Sequence, residues 1–122
     1  MEREIELAWA AGFFDGEGTI TLTGRRAVRH HNFMVAIKQS VGSDAAVPDV
    51  LARFQAAVGA GKIGGPYIDR PTRQGFSPNR RPSFTWYAID AEADLVLARL
   101  WPQLGSVKRA QAARVREAHR AA

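Results

Sequence analysis

Residues 7–20, which read LAWAAGFFDGEGTI, constrain the fold of this chain most, because a helical pattern changes to a strand pattern within them. Ile5, Trp9 and Phe13 recur at every fourth position, so we expect them on the core-facing side of a helix over residues 4–15. The neighbouring stripe consists mostly of small residues: Ala8, Ala11, Gly12 and Asp15. Side chains this small allow two helix axes to come close, and the stripe therefore predicts a helix–helix interface.

A glycine-flanked acid follows this helix. Gly16 and Gly18 are expected to end the helix by adopting positive φ angles, which leaves Glu17 at its tip. Residues 18–25 then alternate with period two and predict a first strand. The phase headed by Glu17 is polar and partly basic: Thr19, Thr21, Thr23 and Arg25. We therefore expect a carboxylate at the head of a polar strand face.

A second strand is predicted over residues 32–40, antiparallel to the first if the segment between them is a hairpin. Its apolar phase should face the helices. Its exposed phase would consist of Asn32, Met34, Ala36 and Lys38. Together with the polar face of the first strand, this phase would form a two-stranded ribbon of the kind that the major groove of DNA admits. Met34 and Ala36 depart from the polar character of this ribbon, although apolar contact with a thymine methyl group is one recognised use of such side chains.

The segment between these two strands is basic. Arg25, Arg26 and Arg29 could reach phosphates from the end of the hairpin. His30 and His31 also lie there, and a solvated or phosphate-facing turn is a better interpretation than a metal site, because no Cys or third His stands at ligand spacing.

The middle of the chain predicts a helix, a strand and a loop. Pro48 is expected at the first position of the second helix, and Gly59 at its end. Residues 62–68 predict a short third strand interrupted by a Gly-Gly-Pro run. The loop over residues 69–82 is either a plain surface loop or an excursion that contacts DNA. Four arginines favour contact with DNA: Arg70, Arg73, Arg80 and Arg81.

The last third predicts a fourth strand over residues 83–89 and two helices. Asp90 is expected to cap the first of these helices and Ser106 to cap the basic C-terminal one. The first has a strongly apolar face: Ala93, Val96, Leu97, Leu100, Trp101 and Leu104. The order αββαββα plus a C-terminal helix predicts an α+β domain over residues 1–122, with helices on one face of a curved antiparallel sheet.

Composition favours a polyanionic partner. Lys and Arg number 17 against 12 acids, the formal charge is +5, and all but three of the basic residues are Arg. Guanidinium groups bind phosphates bidentately, so nucleic acid is the expected partner. The chain has no Cys, no apolar run long enough to span a membrane and no signal-like N-terminus. We expect an intracellular protein, in the cytoplasm or nucleoid if its source is a prokaryote or a phage.

The run AAGFFDGEG at residues 10–18 resembles the signature of the LAGLIDADG homing endonucleases, with Glu replacing the final Asp. The similarity extends to residues 58–63, 101–104 and 108–112. Members with one copy of the signature act as homodimers. The resemblance therefore implies a homodimeric, site-specific endonuclease that cuts double-stranded DNA at a long pseudo-palindromic site and requires Mg²⁺, which Mn²⁺ can replace.

The resemblance also implies roles for individual residues. Glu17 would bind the metal, with the carbonyl of Gly16 as a second ligand. Gln39 would organise water, and Lys108 would be the basic residue of the site, with Lys38 and Arg109 as substitutes. The small-residue stripe of the first helix, which includes Asp15, would become the dimer interface.

Two other functions stay open. The chain could be a DNA-binding regulator or an intron RNA maturase of the same fold that has lost cleavage. It could also be a plain dimerisation domain, although its arginine-rich segments favour a nucleic-acid partner.

Overall fold

The computed structural model describes residues 2–24, 31–42, 46–68 and 81–121, which form four α-helices, four strands and one short 3₁₀ helix. The predicted order of helices and strands is confirmed. In that order they are α1 (Glu2–Glu17), β1 (Gly18–Thr23), β2 (Asn32–Ser40), α2 (Asp49–Val58), β3 (Lys62–Tyr67), β4 (Ser83–Ile89), α3 (Asp90–Leu100) and α4 (Ser106–Ala121), with the 3₁₀ helix Trp101–Gln103 between α3 and α4.

The four described strands form one antiparallel sheet in the order β1-β2-β4-β3. The β1–β2 register runs from Gly18 opposite Ile37 to Thr23 opposite Asn32. β2 and β4 are therefore the inner strands, and β1 and β3 lie at the edges. The β3–β4 pairing shifts register after Gly64, where the Gly-Gly-Pro run was predicted to interrupt the strand.

One face of the sheet packs against the helices in a single hydrophobic cluster. The buried strand residues alternate along the chain: Ile20, Phe33, Val35, Ile37, Phe84, Trp86 and Ala88. Trp86 is fully buried and meets Phe54 of α2 edge to face, with ring centroids 4.6 Å apart. Its indole Nε1 also donates to the carbonyl of Ala60 at 3.0 Å, so the one polar atom of the ring is satisfied. The α+β class is confirmed.

The junction between α1 and β1 differs from the prediction. α1 continues through Gly16 to Glu17, β1 begins at once at Gly18, and neither glycine has a positive φ. Gly18 is buried and needed for space: a Cβ there would lie 2.6 Å from the carbonyl oxygen of Phe14 and closer still to its ring. Steric contact, and not backbone conformation, therefore explains why glycine fits this junction.

Two predicted helix starts are also corrected. Pro48 is the N-cap of α2, with an extended backbone (φ −62°, ψ 137°), so the helix begins one residue later. At the start of α3, Ile89 is the N-cap and no side chain caps the helix there. The Asp90 carboxylate instead accepts a hydrogen bond from the backbone N–H of Phe33 at 3.0 Å. Asp90, which directly follows β4, thus satisfies a backbone donor of the neighbouring strand β2.

The region between α3 and α4 requires two further corrections. Trp101 is 38% exposed in the 3₁₀ helix and does not join the apolar face of α3. Ser106 is the first residue of α4 and not its cap. The carbonyl of Gly105 accepts the first helical hydrogen bond, from the N–H of Arg109 at 3.0 Å, which makes Gly105 the N-cap.

Among the described helices, none is both long and apolar enough to cross a membrane.

Replacing Gly18 by Ala should destabilise the fold by about 1–3 kcal/mol, the usual range for overpacking a core, because the new Cβ would overlap Phe14. Gly16→Ala is the matched control. No atom lies within 4 Å of the Cβ that it adds, and alanine favours a helix. Urea unfolding at low protein concentration compares the two variants with the wild type. Equal stability of G18A and the wild type would contradict the steric explanation.

Candidate functional site

The end of α1 and the end of β2 bring two predicted site residues together. Glu17 is the last residue of α1, and its side chain is exposed. The β1–β2 register sets Ile37 opposite Gly18, so Gln39 lies just beyond the paired region, beside the end of the helix. The Nε2 of Gln39 donates to Glu17 Oε2 at 3.4 Å and to the carbonyl of Lys38 at 3.1 Å. Gln39 therefore holds the Glu17 carboxylate by a long hydrogen bond.

Lys108 reaches the same place from the first turn of α4. Its Nζ donates to the carbonyl of Gly18 at 2.6 Å and to Gln111 Oε1 at 3.3 Å. The ammonium also lies 6.0 Å from the centroid of the Phe14 ring. Lys108 thus contacts the residue directly after Glu17, and three residues from distant parts of the chain meet at the end of α1.

The two substitutes for Lys108 are placed differently. Arg109 donates to the carbonyl of Trp101 and lies over the Trp101 ring, 5.4 Å from its centroid. Its guanidinium is therefore engaged at the 3₁₀ helix. Lys38 is exposed in β2, next to Gln39. Lys108, unlike Arg109, binds the α1–β1 junction with its side chain.

The electrostatics of this junction favour a cation. The C-terminal end of a helix carries partial negative charge, and Glu17 adds a full charge there. α1 has no basic residue in its last turn, so the cation comes from Lys108 of α4. Within the described parts of the chain, no group of three or more His, Cys, Asp or Glu side chains could hold a metal ion. A divalent ion at Glu17 would need further oxygen ligands, such as backbone carbonyls, water, phosphate or a second chain.

The outer face of the sheet carries most of the predicted ribbon. Thr19, Thr21 and Lys38 are exposed, whereas Thr23, Asn32 and Met34 are partly buried. Ala36 is a correction: it is only 6% exposed, because it lies in a row between Thr19 and Tyr87. The hydroxyl of Thr19 also donates to the carbonyl of Ala36 at 3.3 Å.

The inner strand β4 widens this face beyond the two-stranded ribbon. Tyr87 stands opposite Ala36 and Lys62, and Ile89 stands opposite Met34. Thr85 follows in the same phase, opposite Lys38. These side chains alternate along β4 with the buried Phe84 and Trp86, but alternation within one strand does not give the order of the strands in a sheet. The observed pairing of β4 with β2 places these side chains on the same outer face as those of β2.

Six of the predicted DNA-binding arginines lie outside the described residues: Arg25, Arg26, Arg29, Arg70, Arg73 and Arg80. Arg81 is described and is exposed just before β4. His30 also lies outside. The carbonyl of His31 accepts a hydrogen bond from His119 Nε2 of α4 at 3.0 Å, so His31 helps to hold the end of α4 beside the base of the predicted hairpin.

A second contact, which is partly buried, holds α4 at that end. The Arg116 guanidinium lies 3.9 Å above the ring of Phe33 and pairs with Asp94 of α3. Burial lowers the pKa of Arg116, and the nearby charge of Arg120 lowers it further, while Asp90 opposes the shift. Arginine stays charged even so, and the charge is paired.

The predicted dimer stripe on α1 is exposed only in part. Ala8 and Gly12 are exposed, and no atom lies within 4 Å of a Cβ built at Gly12 or at Gly16. Ala11 is fully buried in the core of its own chain, so its side chain cannot contact a second protomer. Asp15 is partly buried, and its carboxylate accepts the N–H of Gly105 within the same chain.

The predicted core-facing side of α1 is also wrong at one position: Ile5 was expected to face the core, but it is 62% exposed. Its partners in the pattern, Trp9 and Phe13, pack against the core and stack on each other with centroids 5.3 Å apart. Ile5 is instead continuous with the exposed stripe: Ile5, Ala8, Gly12 and Gly16. The exposed face of α1 is therefore rotated relative to the prediction.

No protein-family model matches the chain, and no curated protein sequence matches it. The central feature of the described residues is a pair of contacts at the α1–β1 junction, where Gln39 bonds the Glu17 carboxylate and Lys108 bonds the carbonyl of Gly18.

Proposed function

We propose that this chain is a homodimeric, Mg²⁺-dependent, site-specific DNA endonuclease of the LAGLIDADG type. The single observation that carries the proposal is the convergence of Glu17, Gln39 and Lys108 at the α1–β1 junction. The resemblance implied these three residues as one site. The helix and strand order that the resemblance implies supports the proposal as well.

The donors at the junction fit a hard cation. Glu17 offers an exposed carboxylate, and Mg²⁺ is commonly held by one or two carboxylates together with substrate phosphates and water. In this proposal Glu17 binds the metal with the carbonyl of Gly16. The bound metal would supply an activated water and neutralise charge on the phosphate.

The protein groups have separate roles around the scissile phosphate. The Gln39 amide holds the Glu17 carboxylate and can orient a water with its remaining polar atoms. The Lys108 ammonium, fixed by the carbonyl of Gly18, stabilises negative charge that develops on the phosphate.

The outer face of the sheet is the proposed DNA surface. It is polar and carries lysines on strands β2 and β3, Lys38 and Lys62, while threonines line β1. Met34 and Ile89 form an apolar pair within it, suited to thymine methyl groups. The net charge of +5 supports binding to the phosphate backbone.

Dimerisation through α1 would bring two copies of Glu17 together, one for each DNA strand. The open space above Gly12 and Gly16 supports this arrangement, because a second helix could approach there without steric conflict.

Replacing Glu17 by Gln should lower the cleavage rate by about a hundredfold or more, since loss of metal binding removes several kcal/mol of transition-state stabilisation. DNA affinity should persist. The substrate is a duplex pool enriched from randomised DNA by binding to the wild-type protein, and cleavage is followed on gels in Mg²⁺ and in Mn²⁺. Glu4→Gln, the same change on the exposed start of α1, is the matched control. Undiminished cutting by E17Q would refute the assignment of Glu17.

A binding protein without cleavage is the alternative, either a DNA-binding regulator or an intron RNA maturase. One carboxylate at the junction, and no acidic cluster among the described residues, is the observation that favours it. Wild-type protein that binds the enriched duplexes but leaves them intact in both metals would establish the regulator. Preferential binding of structured RNA would establish the maturase.

Replacing Gly12 by Leu should convert the dimer to a monomer, because the side chain would fill the space that the second helix occupies. The isolated chain should keep its stability, since apart from the adjacent turns of α1 itself no part of the chain lies within 4 Å of the new Cβ. Analytical ultracentrifugation measures the association, with Ala52→Leu on the exposed side of α2 as the control. A G12L variant that associates as strongly as the wild type would exclude this interface.

A further inference from the structure

The two acids of the α1 terminus point in different directions. They stand two residues apart, which corresponds to about 200° around a helix. Glu17 is exposed, whereas Asp15 is partly buried and both of its carboxylate oxygens lie 3.1 Å from the backbone nitrogen of Gly105. Asp15 therefore contacts the start of α4.

Gly105 is the residue at which α4 begins to form its hydrogen bonds, as its carbonyl accepts the N–H of Arg109. The Asp15 carboxylate thus lies at the positive end of the α4 dipole, where a negative charge is stabilising. At the end of α1 the same charge is unfavourable, and no basic residue stands in that last turn to compensate it. The contact with α4 explains why an acid is accommodated there.

The N-cap N–H is often satisfied by a Glu or Gln three positions further along the same helix. In α4 that position is occupied by Lys108, which cannot accept the bond. Asp15 of α1 performs that function instead, while Lys108 reaches back to the carbonyl of Gly18 at 2.6 Å. Two hydrogen-bonded contacts therefore connect the α1–β1 junction with the start of α4. In one, Asp15 accepts from the backbone of Gly105, and in the other, Lys108 donates to the carbonyl of Gly18.

We propose that Asp15 is a positioning residue, which fixes the first turn of α4 and thereby holds the Lys108 ammonium at the carbonyl of Gly18, the residue after Glu17. There is little free space between the Asp15 carboxylate and Gly105. A Cβ on Gly105 would lie 3.1 Å from each Asp15 oxygen, so the carboxylate fills the space against the backbone. The effect on cleavage depends on the proposed function, but the effect on Lys108 does not.

The first experiment needs no DNA. In ¹H–¹⁵N spectra of the full chain, the Lys108 ammonium should exchange its protons slowly, because Gly18 and Gln111 hold it. Asp15→Asn should accelerate this exchange, together with amide exchange at Arg109 in the first turn of α4. Asp49→Asn, an acid in the first turn of α2, should leave both signals unchanged. An unaltered Lys108 signal in folded D15N would overturn the proposal.

Gly105→Ala disturbs the same contact from the other side. Gly105 does not have a positive φ, so alanine fits the backbone, but its Cβ crowds the Asp15 oxygens. G105A should therefore also accelerate Lys108 exchange. This variant decides the question if D15N fails to fold. Slow Lys108 exchange in G105A would then count against the proposal.

The second experiment measures cleavage of the enriched duplexes. D15N should lower kcat by about tenfold or more, the size of effect expected from a small misplacement of a catalytic group, with little change in KM. Lys108→Met should lower kcat as well, and the double variant should be no slower than K108M alone, because both changes remove one effect. Additive losses would show that Asp15 acts independently of Lys108. If the wild type does not cut at all, the proposed function fails, and the exchange data still test the contact.

Discussion

The close contact between Gly18 and the Phe14 ring is the constraint on which the rest of the site depends. It lets α1 pass into β1 without a loop, so the last helical residue lies at the head of the sheet. Glu17 is thereby presented to solvent, and the carbonyl of Gly18 is presented to Lys108. Both groups are held by the backbone of regular elements, which fixes their relative positions.

α4 links this junction to the opposite end of the first hairpin. Its first turn binds Gly18 through Lys108, and its last turns contact Phe33 and His31 through Arg116 and His119. The helix therefore braces the edge strand β1, whose outer side chains belong to the proposed DNA surface.

Periodicity was sufficient to predict most of the fold. The bounds of β2 and β4 agree with the alternating pattern, and the helix-facing phase of β2 was identified correctly. Local rules failed where a distant partner decided the outcome. Asp90 looked like a helix cap, yet its carboxylate serves Phe33 of another strand.

The candidate site shows the same division. Glu17 was found from its own glycine-flanked motif, but its proximity to Gln39 and Lys108 depends on strand register and on the docking of α4. Asp15 and Ala11 were placed in a dimer interface by helical spacing and by the family resemblance, whereas Asp15 bonds Gly105 and Ala11 lies in the core. The exposed glycines on α1 carry one further consequence. A glycine in a helix interior is less favourable than alanine by about 0.5–1 kcal/mol. The exposed glycines therefore lower the folding stability of a protomer that is not bound to a second protomer. In the proposed dimer, survival of the folded chain in a cell would then depend on its abundance, and newly made protein at low copy number would be the most vulnerable to proteolysis.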